Sequence, residues 1–137
     1  MTIQYLHLQP GQALPNLALP PFRVAVVIEA IVSMPWRIAV CDWLAQAGCR
    51  YLLAWGPDCS LWDDVMDETS VMLKISGELP EDHLVMTTWH DDATLAEFLA
   101  HCKHHADHPE LDLRHTLLLH IGAEPRELAL RRAYEQA

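Results

Sequence analysis

The sequence predicts a single three-layer α/β domain: a mainly parallel sheet of four or five strands with helices on both faces. Two observations carry this expectation. Four apolar strand-like runs alternate with segments of helical periodicity. The first run, RVAVVIEA, is also apolar on both faces, as a strand covered from two sides must be. Such alternation means βαβ units, parallel pairing and right-handed crossovers.

At the N-terminus, TIQYLHL can add a strand, and GQALPNLALPPF reads as an extended apolar loop packing over the domain. Residues 1–21 are thus an arm on a domain spanning 22–137. The first run is RVAVVIEA (23–30). In SMPWRIAVCDWLAQAG, Ser33 and Pro35 suit a helix start, and Trp36, Val40, Trp43, Leu44 and Ala47 share one face up to the stop at Gly48. The second run, RYLLAWG (50–56), precedes Ser60 and Asp63, which match a capping box opening a short helix to about Thr69. VMLKI (71–75) fits either an edge strand or the end of that helix. The third run, HLVMTTWH (83–90), leads into a helix with Leu95, Phe98, Leu99 and Cys102 on one face, ended by His108-Pro109. The fourth, LRHTLLLHIG (113–122), leads into a last helix with Leu128, Leu130 and Tyr134.

A chain of 137 residues, 51% apolar and 20% charged, is long enough and apolar enough to bury a core. No apolar run reaches the roughly 18 residues of a membrane span, and the first residues lack the basic start and apolar stretch of a signal peptide. A cytoplasmic location is the expectation. The four cysteines contain no CxxC pair; Cys41, Cys49 and Cys102 read as small buried hydrophobes with reduced thiols.

The net charge of −10 is concentrated. Between Asp58 and Asp92 stand ten acidic residues and one basic residue, Lys74, which accounts for nine of the ten net charges. Such a surface repels nucleic acid and anionic membranes and attracts a basic protein.

Ligands of open parallel sheets bind beyond the carboxyl ends of the strands, where strand order reverses. Here those ends carry Glu29, then Trp55, Asp58 and Cys59, then Trp89, His90, Asp91 and Asp92, then His120. If the four runs are ordered second, first, third, fourth, Glu29 and His90 flank the crevice. Cys59 before a helix, with His90 as base, has the logic of covalent catalysis. Asp58, Asp63 and Asp64 oppose thiolate formation. Asp63, Asp64, Asp91 and Asp92 offer oxygen ligands to Mg²⁺ or Mn²⁺, although carboxylates in first helical turns are favoured without any ion. In HCKHHADH, His101 and His105, like His104 and His108, are i, i+4 pairs able to hold zinc or nickel, but short of the usual three or four ligands. Trp36 and Trp43 belong to a core stripe, whereas Trp55, Trp62 and Trp89 can floor a pocket or anchor a partner. No P-loop, GxGxxG, GxSxG or HExxH pattern occurs, so no cofactor is implied.

The segments WGPDCSLWDD, VMTTWHDD and HTLLLHIGAEPRE resemble an uncharacterised bacterial family, a domain of unknown function, over most of the chain from Phe22 onward. The resemblance implies a bacterial source and no particular activity. Two functions are weighed. The favoured one is a protein–protein interaction module, of immunity or regulatory type, that binds a basic partner through an acidic, tryptophan-containing edge (Trp55, Asp58, Trp62, Asp63, Asp64, Trp89, Asp91, Asp92). The alternative is an enzyme or small-ligand binder using Glu29, Cys59, His90 and the adjacent aspartates, which requires a concave pocket at the strand ends.

Overall fold

The computed structural model describes residues 2–137. Its strands are β1 (Thr2–Leu8), β2 (Phe22–Ile28), β3 (Cys49–Trp55), β4 (Met86–His90) and β5 (His115–Ile121). Its helices are α1 (Met34–Ala47), α2 (Cys59–Ile75), α3 (Leu95–His104) and α4 (Glu127–Glu135). The five strands form one sheet in the order β1-β5-β2-β3-β4, and every pairing is parallel.

Alternate residues of the central strands serve two cores, as the period of a pleated strand requires. Val24, Val26, Ile28, Leu52, Ala54, Leu117 and Leu119 face α1 and α2. Ala25, Val27, Leu53 and Leu118 face α3 and α4. All seven residues of β2 are buried, so this strand is the spine of the sheet. The arm completes the first core: β1 pairs with β5, and Leu14, Leu17 and Leu19 pack against that core. The indole N–H groups of Trp36 and Trp43 donate to Gln12 O and Pro15 O at 2.9 and 2.8 Å, pinning the loop to the helix.

Of the two readings open for VMLKI, the helical one holds: it is the end of a 17-residue α2, which runs past the expected end at about Thr69. Two expectations are corrected. Asp63 does not cap that helix. The Gly56-Pro57-Asp58 turn starts it at Cys59, with Cys59 N–H donating to Gly56 O and Leu61 N–H to Asp58 O, so Ser60 is already inside and Asp63 lies a turn further on. Asp91 and Asp92 likewise precede α3, whose start is a capping box of Thr94 and Glu97.

Candidate functional site

Strand order decides which ends meet. From β2 the chain builds outward through β3 to β4, then α3 returns it to β5 on the other side of β2. The reversal therefore lies between β2 and β5, and Glu29 and His120 stand there. His90 does not flank this crevice, because β3 separates its strand from β2.

His120 is fully buried at the centre of a polar chain. Its Nε2 lies 2.6 Å from Glu29 Oε1, and its Nδ1 lies 2.8 Å from Tyr5 Oη. The other Glu29 oxygen pairs with the Arg126 guanidinium. The Arg126 backbone N–H donates to Tyr5 Oη at 2.9 Å. That bond leaves the phenolic proton for Nδ1, so a neutral His120 carries its own proton on Nε2, toward Glu29. Burial lowers the His120 pKa; the Glu29 carboxylate pulls it back up only in part. His7 flanks the ring at 5.2 Å and meets Gly122 O at 2.7 Å. A Cβ on Gly122 would sit 3.1 Å from His120 Nε2, so glycine leaves room for the imidazole.

Tyr5, His7 and Arg126 escape sequence reasoning, and their one signal was Tyr5 and His7 two apart in TIQYLHL, on one face of a strand. What this group can do is hold a carboxylate at fixed orientation at the crevice and pass a proton between Glu29 and the buried histidine. Four surface clefts lie elsewhere on the molecule, and none of these four includes Glu29 or His120 in its lining.

The remaining candidates scatter. Cys59 is buried, and burial raises its thiol pKa against the opposing pull of the His90 backbone N–H, so it is no activated nucleophile. The His90 imidazole instead bonds Thr88 Oγ1 at 2.9 Å and packs on Phe98 and His101; burial, then His101, lowers its pKa. Trp62 is fully buried, and Trp55 stacks on Phe98 while donating to Ala93 O at 2.7 Å; of the three edge tryptophans only Trp89 is exposed. Asp58, Asp64, Asp91 and Asp92 stay at the surface. His101 and His105 place their rings 5.8 Å apart, but among the described residues no three His, Cys, Asp or Glu side chains are arranged to hold a metal ion. His108 is buried, its Nε2 3.0 Å from Leu84 O. Cys41, Cys49 and Cys102 are buried free thiols, Cys49 pushed up to about 12 by burial.

Asp63 faces β4, not a partner. It is buried beside Asp67 and Thr87, and burial first, then the Asp67 and Asp64 charges, raise its pKa from 3.8 to about 6. A raised acid binds more protons in the native than in the unfolded state, so its contribution weakens as pH rises from about 4 to about 6. Asp63→Asn is expected to remove that slope and to stabilise the protein at pH 8 by about 1–2 kcal/mol, a figure discounted for solvent screening around Asp64 and Asp67. Urea denaturation of the variant and the wild type at pH 4.5 and 8 checks it.

No curated protein and no solved structure significantly matches the chain. A family model does, over residues 3–137, so the arm is part of the unit it describes: the chain belongs to the family designated domain of unknown function DUF7684.

Proposed function

We propose that the protein is a partner-binding module, of immunity or regulatory type, whose docking surface is the outer face of α1 and α2. The observation that carries the reading is an apolar groove with an acidic rim. Six of the nine exposed large hydrophobic residues among those described (Met34, Ile38, Leu61, Val71, Met72, Ile75) lie on these two helices. Met72 and Ile75 are 63% and 74% exposed. Exposed apolar residues gathered on one pair of helices in this way mark an interaction face. Ile38, Val65, Met72 and Leu73 line a groove of about 460 Å³ whose charged lining residues, Asp42, Glu68 and Glu78, are all acidic.

The partner is therefore basic, and a second copy of this acidic chain is disfavoured by its own charge. The surface differs from the edge expected from sequence, because Trp62 and Asp63 turn inward. A cytoplasmic setting in a bacterium suits the four free cysteines. No helix among the described residues is long and apolar enough to cross a membrane.

The second reading, an enzyme or small-ligand binder at the strand ends, rests on the Glu29–His120 network at the point of strand reversal. In it Glu29 is the general acid or base and His120 orients it.

Native mass spectrometry of untagged protein from its own cells separates the two readings. A basic protein is expected to co-purify, to dissociate with rising salt, and to rebind when both components are pure. Glu68→Lys combined with Met72→Asp should weaken that rebinding at least about tenfold, while Glu135→Lys on the opposite layer should not. A partner indifferent to salt and to both changes excludes this surface. A bound small molecule lost in Glu29→Gln supports the second reading instead.

A further inference from the structure

The molecule buries two arginines, and they are treated very differently. Arg23 is matched with oxygens: Nε donates to Thr116 Oγ1 at 2.8 Å, Nη1 to Ala106 O at 3.3 Å and Nη2 to Tyr134 Oη at 3.4 Å. Arg37 is equally buried, with 3% of its surface exposed, yet its Nε has no partner among the described residues. Its Nη1 meets only the Met34 thioether, at 3.5 Å, and its Nη2 stands 3.7 Å from Asp58 Oδ2, beyond hydrogen-bond reach. Buried cations are ordinarily paired and hydrogen-bonded, because an unpaired one carries a large desolvation penalty.

The second unpaired donor belongs to the residue beneath it. Arg37 Cζ lies over the ring of Trp62 at 5.8 Å from its centre, and the fully buried Trp62 has no acceptor for its indole N–H among the described residues. Trp62 belongs to the first turn of α2, and Arg37, on α1, faces the start of that helix at Asp58. Asp58 is the N-cap residue of that helix, but its side chain accepts none of the helix N–H groups and is turned to Arg37. A guanidinium without an oxygen acceptor thus stands at the positive end of a 17-residue helix, over the ring of a tryptophan whose N–H has no partner among the described residues.

We infer that Arg37, Trp62 and the N-terminus of α2 form a binding site for a small oxyanion, the carboxylate or phosphoryl group of a small molecule. The exposed Met34 and Asp58 side chains form its cover. Asp58 is a competing internal carboxylate that the ligand displaces from Arg37. The site shares none of the lining residues of the α1–α2 groove and none of the Glu29 network, although Met34 of its cover also belongs to the docking face. The protein's net charge of −10 favours small anions over polyanions here.

Calorimetric titration with inorganic phosphate and, separately, with acetate tests the assignment on the wild type, Asp58→Asn and Arg37→Met. The expected ranking is Asp58→Asn tightest, by several-fold, and Arg37→Met weaker than wild type by at least about tenfold. Binding of phosphate alone assigns a phosphoryl ligand, and of acetate alone a carboxylate. Any other ranking overturns the proposal, as does failure of Asp58→Asn to saturate with either anion by about 0.1 M. If Arg37→Met does not fold, the comparison of Asp58→Asn with wild type decides: equal or weaker binding overturns it. An ordered water bonded to both Arg37 Nε and Trp62 Nε1 in crystals grown with either anion does so too.

Discussion

Gly56→Ala is expected to cost about 4 kcal/mol or more and to leave little folded protein at 37 °C. Gly56 follows β3 with φ at +113°, in a region that side chains other than glycine's rarely enter. A Cβ there would overlap the Ile28 carbonyl oxygen and lie 2.9 Å from its carbonyl carbon. Neither atom can yield, because Ile28 is the last residue of the fully buried β2, hydrogen-bonded into the sheet beside Ile121. Relief would require moving β3 away from β2 at the end where both site-bearing turns leave the sheet. Gly11→Ala is the control for backbone strain alone: its φ is +81°, but nothing lies within 4 Å of the added carbon. That change should cost about 1 kcal/mol. Equal unfolding midpoints for the two variants in urea would show that the approach of Gly56 to Ile28 is not close.

The contrast between these glycines shows what local sequence can encode. The unbroken apolar run of β2 and the Ser-Pro start of α1 declare themselves through periodicity and capping chemistry, and both elements stand within a residue or two of where those signals put them. The start of α2 did not, because Ser60 and Asp63 mimic a capping box while the preceding turn begins the helix earlier. Glu29 and His120 were legible as polar residues at strand ends. Their meeting was not, since it depends on α3 carrying the chain back across the sheet, a long-range choice with no local signature. Tyr5 joins them only because β1 pairs with β5. Arg37 was invisible for a different reason: one cation in an apolar helical run reads as a solvated residue, and its burial follows from Trp62 turning inward beneath it.

Replacing His120 should have the next largest effect. His120→Ala removes a fully buried ring, opens a cavity, and leaves the Tyr5 hydroxyl and one Glu29 oxygen without their partner. A loss of about 3 kcal/mol is expected from cavity and unpaired polar groups together. Tyr5→Phe keeps the packing and should cost only about 1 kcal/mol, because Nδ1 and the Arg126 N–H lose one bond each. The groups facing the imidazole are Tyr5, His7, Glu29 and Arg126. Desolvation outweighs the attraction of Glu29, so the native pKa lies below the ordinary 6.5. Between that lowered value and 6.5 the unfolded chain binds more protons than the native one, and stability falls as pH drops through the window. His83, His90 and His101 are lowered by burial as well, so the slope should shrink in His120→Ala without vanishing. Urea unfolding of both variants and the wild type at pH 5.5 and 7.5 measures it. A His120→Ala protein whose stability falls more steeply between those values than the wild type's would mean that His120 is already protonated in the native state. Glu29, Tyr5 and His120 would then form a charged ion-pair lock and not a neutral relay.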